Sequence, residues 1–137
     1  MRTLFSLAFL LATVSLPATA AAPTMTAHVL LNTTTTATGQ AIALPSGSVR
    51  VIGSIVEIEP GYAPGYHEHL YSRYAYVLAG HLDVQDEGGI VRHYAPGDFF
   101  VETIHGWHRP HVVGTTPVKL LVIDQQPADA KTNTVNR

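Results

Sequence analysis

Two histidines one residue apart, His67 and His69, open the stretch HEHLYSRYAYVLAG. On a strand, alternate residues share a face, so both imidazoles project together while Glu68 points away. Two imidazoles on a stiff backbone are a ready pair of ligands for a divalent transition metal, and a further ligand must then come from elsewhere in the chain. Candidates stand in IHGWHRPH, as His105, His108 and His111. An H-x-H pair alone could equally make ordinary hydrogen bonds. The second histidine cluster, in a strand-rich chain, is what favours ligation.

The elements that must position these side chains read as strands. SVRVIGSIVEIEPG alternates and is rich in Val and Ile, a β signal. RYAYVLAG, HLDVQDEGG, GGIVRHYAPGD, DFFVETI, GWHRPHVVG and PVKLLVIDQQ continue the series. Turn residues separate them at Pro60-Gly61, Gly88-Gly89, Pro96-Gly97-Asp98 and Gly114 to Pro117. No segment after residue 20 sustains a helical period, so the pattern predicts an all-β sandwich or barrel. Ahead of it, residues 21–47 read as a short strand, a threonine-rich connection and a second extended piece. Residues 48–124 form the core of the domain, and the polar tail, 125–137, is expected to be disordered.

The histidines and the glycines around them resemble the cupin family. Its first motif runs G-x5-H-x-H-x(3,4)-E-x6-G, and this chain has Gly61, five residues, His67-Glu68-His69, three residues, Arg73, six residues, Gly80. Against the second motif, G-x5-P-x-G-x2-H-x3-N, His108 takes the histidine position. Thr103 then stands for the proline, His105 for the glycine and Val112 for the asparagine. The resemblance spans residues 48–124. It implies a double-stranded β-helix, or jelly roll, with a site inside the barrel mouth and iron, manganese, zinc, nickel or copper held there. Carried over residue by residue, the ligands are His67, His69 and His108, and a homodimer is also implied.

Arg73, at the glutamate position, breaks the pattern. Arginine cannot ligate a metal and stays protonated. A guanidinium about 6 Å from a dication, at an effective dielectric of ~20, is repelled by roughly 5 kcal/mol. Three arrangements remain open. The centre could use three histidines, with Arg73 turned away or anchoring a substrate anion. Glu102 could replace the missing carboxylate, or else face solvent as an ordinary strand residue. Or the site could hold no metal, with Arg73 and the histidines forming an anion-binding pocket.

Composition narrows the function classes. A chain of 137 residues is one domain's worth, and a net charge of −2 gives no reason to expect nucleic acid as partner. The absence of cysteine excludes thiol catalysis, thiolate metal sites and disulfides. Residues 1–20 read as a secretory signal: Arg2, an apolar run from Leu4 to Leu16, then Ala18-Thr19-Ala20 ahead of Ala21. The run is shorter than the ~20 residues a spanning helix needs, so a periplasmic or secreted protein with no membrane anchor after cleavage is expected. Five tyrosines, Tyr62, Tyr66, Tyr71, Tyr74 and Tyr76, crowd the first motif, and Trp107 adjoins His108; each could wall a pocket or simply pack. His28, His81 and His93 read as ordinary surface or strand histidines. The expectation is an exported, metal-dependent, oxygenase-like enzyme for a small organic molecule, against a metal-free anion-binding protein.

Overall fold

The computed structural model describes residues 24–137, so the secretory signal lies outside the described residues. Nine strands follow in chain order: β1 (Val49–Ile58), β2 (His67–His69), β3 (Ser72–Ala79), β4 (His81–Asp86), β5 (Val91–Tyr94), β6 (Phe99–Val101), β7 (His108–Val113), β8 (Val118–Pro127) and β9 (Thr134–Asn136). A four-stranded sheet, β1-β8-β3-β6, faces a five-stranded sheet, β5-β4-β7-β2-β9. Every strand pair is antiparallel. The expected all-β jelly roll is what forms. Among the described residues no helix is long and apolar enough to cross a membrane.

The period-2 pattern explains which faces meet. Along β8, Val118, Leu120 and Val122 are buried while Lys119 and Leu121 are exposed. Ala75 and Val77 of β3, Leu82 of β4, Phe100 of β6 and Val112 of β7 close on them as one core. Full burial of each Val or Leu side chain contributes about 1.5–3 kcal/mol. The β8 row does not stay apolar: Asp124 and Gln126 follow on the same inward face and are buried too.

Two expectations at the ends of the domain are corrected. Residues 24–47 form no strand, only an isolated bridge between Thr35 and Ala41. Threonine hydroxyls there bond to nearby backbone, with Thr35 N and Gln40 N donating to Thr33 Oγ1 and Thr36 Oγ1. Such local bonds offer the backbone an alternative to a sheet ladder. The segment still docks on the outer side of β6, where Ala37 N donates to Val101 O at 2.8 Å. The tail, expected to be disordered, instead extends β8 to Pro127 and adds β9, which pairs with β2 at His67, Glu68 and His69.

Gly80, which ends the first motif, closes the tight β3–β4 connection with φ +74°. A Cβ there would lie 2.5 Å from Pro117 O and 2.9 Å from Val118 Cα. Gly89 has φ +85° with nothing near a would-be Cβ. Gly89→Ala should therefore cost only the left-handed backbone term, about 1–2 kcal/mol. Gly80→Ala adds an overpacking cost of about 1–3 kcal/mol. Urea unfolding of the two variants checks this; equal losses would mean that the backbone can move away from Pro117.

Candidate metal centre

The site is assembled by three short pieces of chain. β2 supplies His67 and His69, β7 begins at His108, whose Cα pairs with that of His67, and Glu102 stands one residue past β6. The three imidazole centroids are 4.5 to 5.1 Å apart. Glu102 Oε2 lies 3.1 Å from both His69 Nε2 and His108 Nε2. One donor atom from each of His67, His69, Glu102 and His108 falls within 4.8 Å of all the others. Ligands around a small divalent ion at ~2.1 Å are roughly 3.4 Å apart in a tetrahedron, so a modest contraction would enclose one. His69 and His108 are buried, at 0% and 4% exposure.

The loop between Glu102 and His108 is held tightly. His105 N donates to His69 O at 2.8 Å, and His108 Nδ1 donates to Gly106 O at 2.7 Å. With its proton on Nδ1, a neutral His108 presents a lone pair from Nε2 to the centre. His105 takes φ +53°, at the position where the second cupin motif has a glycine. A Cβ on Gly106 would lie 2.3 Å from Thr103 Cγ2. Of the three histidines in this stretch only His108 enters the centre. His105 sits on the loop, and alternation along β7 turns His111 outward and exposed.

Glu102 faces inward, not to solvent, and its position explains the missing motif glutamate. Its N–H donates to Arg73 O at 2.8 Å, continuing the β3–β6 pairing of Tyr74 with Val101. Residues directly opposite on paired strands share a face. The carboxylate has therefore moved across one strand pair, from the position Arg73 occupies to its neighbour. Arg73 in turn pairs across β3–β8 with Asp124, which accepts from Nε at 2.7 Å and from Nη2 at 2.8 Å. An inward-facing row of charges results: Glu102, Arg73, Asp124. Arg73 is turned in and already bonded; Nη1 makes no hydrogen bond among the described residues.

These contacts set the protonation of the metal-free cluster. Burial pushes the Glu102 carboxyl up, but hydrogen bonds from His108 and His69 outweigh it and hold the group well below the usual carboxylate range. Burial lowers His108, but its bond to Glu102 more than offsets this and raises it above an ordinary histidine. His67 has no such partner. Burial first, then the neighbouring His108 and His69, lowers it to about 4.

Inward of the centre lies a cavity of about 110 Å³, bounded by His67, Arg73, Glu102 and His108 at one end and by core residues such as Phe100 and Val122 at the other. His67 also borders an outer mouth of about 480 Å³ with Tyr62, Pro64, Thr134 and Asn136. Trp107 lines a small space of about 40 Å³ behind Glu102 and His108, beside Tyr94. Tyr62, exposed at the mouth, is the tyrosine of the first motif that borders it; Tyr74 and Tyr76 pair with Val101 and Phe99 on the outer side of their sheet. His81 and His93 lie outside the centre, His93 bonding to Asp83 at 2.6 Å. Asp124, Asn133 and Thr134 were not singled out from sequence. For Asp124 a signal existed, because it continues the buried row of β8.

The family model of the cupin domain matches residues 54–124, and the chain belongs to that family. No curated protein matches it. Among solved structures, a cupin-like protein from Thermotoga maritima superposes with TM-score 0.54 at 17% identity, over 64% of this chain and 64% of that one. The DMSP lyase DddQ from Ruegeria pomeroyi gives 0.53 at 23% identity, over 63% of this chain and 42% of the lyase. An oxalate decarboxylase from Lactobacillus farciminis, in complex with formate, gives 0.52 at 24% identity, over 63% of this chain and 26% of the decarboxylase. The chain thus spans less than half the length of either enzyme. At these identities the likeness is one of fold.

The depressed His67 has a measurable consequence. Its ring should stay neutral to about pH 4 in the metal-free protein, whereas an unfolded histidine protonates near ~6.5. Between those values the unfolded chain binds the extra proton, so the His67 contribution to stability falls as pH drops through that window. An NMR titration should place the His67 midpoint near 4; a midpoint near 6.5 would show a solvated ring.

Proposed function

We propose that this chain is an exported, metal-dependent cupin enzyme, oxygenase-like in its chemistry, acting on a small organic molecule. The observation that carries the reading is the convergence of His67, His69, Glu102 and His108 on one point. Three imidazole nitrogens and one carboxylate oxygen suit a divalent first-row metal, and no sulfur ligand competes. Iron, manganese, zinc, nickel and copper all accept this donor set. Export rests on the leader-like composition of residues 1–20.

A metal held there would polarise a substrate oxygen or activate O₂ and leave positions open for both. The chain's own residues would do the rest. Substrate enters past Tyr62 and Pro64 and meets His67 at the boundary between mouth and cavity. Its apolar part is drawn into the inner cavity by burial against Val122 and Phe100, at about 25 cal/mol per Å². An anionic group would be met by Arg73 Nη1, already oriented by the two bonds of the guanidinium to Asp124. The presence of a DMSP lyase and an oxalate decarboxylase among proteins of this fold supports an enzymatic reading. The alternative, a metal-free anion-binding cupin, would use the same Arg73 Nη1 and gives the four converging donor atoms of His67, His69, Glu102 and His108 no cation to serve.

Elemental analysis of untagged protein, beside a His67→Ala/His69→Ala variant, tests the reading. About one equivalent of metal is expected in the wild type and none in the variant. A wild type that takes up no iron, manganese, nickel, copper or zinc after incubation would overturn it.

A further inference from the structure

The segment Asn133–Arg137 touches the centre at more points than its plain composition suggests. Asn133 is buried, and both polar atoms of its side chain and its carbonyl are committed. Its Nδ2 donates to Asp124 Oδ1 at 2.6 Å, and its Oδ1 and O accept from Tyr71 N at 2.7 Å and Leu70 N at 2.9 Å. It therefore steadies the carboxylate that neutralises Arg73 and the turn that follows His69. β9 then runs along β2, pairing Thr134 with His69 and Asn136 with His67. Thr134 Oγ1 lies 3.3 Å from His69 Nδ1, on the far side of the ring from Glu102. Arg137 closes the segment: its N donates to Tyr66 O, and its guanidinium pairs with Glu87 and lies over Trp107.

We infer that this closing segment is a working part of the metal centre, with Thr134 a positioning residue that fixes the ring of His69 so that Nε2 faces Glu102 and His108. The inference rests on the metal-centre reading above. His108 has its Nδ1 held by a backbone carbonyl of its own loop. His69, fully buried, has the Thr134 hydroxyl as its sole partner in the equivalent place among the described residues. A ligand histidine whose outer nitrogen is hydrogen-bonded is fixed in both tautomer and orientation, and loss of such a partner typically costs 10- to 100-fold in metal affinity. Thr134 and Asn136 also border the outer mouth, so one segment both orients a ligand and shapes the entrance.

The test uses full-length Thr134→Val and Thr134→Ser proteins. Valine keeps the β-branched shape and removes the hydroxyl, while serine restores the hydroxyl without the methyl. Zinc affinity, measured by chelator competition, should fall about 10- to 100-fold in Thr134→Val and return to near wild type in Thr134→Ser, with urea unfolding used to show that each metal-free protein is folded under the assay conditions. Wild-type affinity in Thr134→Val would overturn the inference while leaving the metal centre standing. If the wild type binds no zinc, the proposed function fails for that metal, and ring ¹⁵N resonances of the metal-free protein decide the inference. A shift of His69 Nδ1 in Thr134→Val, with His108 unmoved, upholds the positioning contact; an unmoved His69 overturns it.

Discussion

A guanidinium beside four converging donor groups is compatible with a bound cation only where its charge is cancelled in place, and the bidentate bond between Arg73 and Asp124 does this. Left alone, Arg73 would oppose a dication by roughly 5 kcal/mol at about 6 Å and an effective dielectric of ~20. Paired with Asp124 at 2.7 and 2.8 Å, it presents a dipole instead. The pair is largely buried, with side-chain exposures of 18% and 9%. Removing one member of a buried pair typically costs about 3–5 kcal/mol, because the other is left uncompensated. The third bond to this group, from Asn133, ties the tail into the same arrangement.

The same row of residues accounts for the carboxylate. β3 lies between β6 and β8, so Arg73 has Glu102 on one side and Asp124 on the other, all on the inward face. Glutamate at the motif position and glutamate one strand over reach into the same barrel interior. What the exchange changes is the anchoring. Glu102 stands at the start of the loop that carries His108, so these two side chains and the backbone bond from His105 to His69 are mechanically linked. The left-handed backbone of His105 and the closeness of Gly106 to Thr103 show how little slack that loop has.

Much of this was legible from residue order. Alternation along PVKLLVIDQQ gives the core strand and its inward face, and H-x-H with Gly61 and Gly80 at cupin spacing picks out the strand that brings His67 and His69 to the centre. Glu102 was ambiguous because its orientation depends on the register of a three-residue strand against β3, which no local pattern encodes. The tail was misread for a related reason. Asn133 and Thr134 act through backbone pairing and single hydrogen bonds, and such contacts leave no hydrophobic period in a sequence. The extended pieces expected on either side of the threonine run 33–36 failed in the opposite direction: the threonine hydroxyls bond to nearby backbone, and only the bridge between Thr35 and Ala41 forms.

Everything proposed for this centre turns on Glu102 providing its carboxylate in place of the residue at position 73. X-ray absorption at the metal edge of the zinc-loaded wild type and of Glu102→Gln tests it most directly. Three imidazole nitrogens and one oxygen at about 2.0–2.2 Å are expected in the wild type, with a changed oxygen shell and weaker zinc binding in the variant. Identical spectra and affinities for the two proteins would contradict it, and would leave a centre built by His67, His69 and His108 alone.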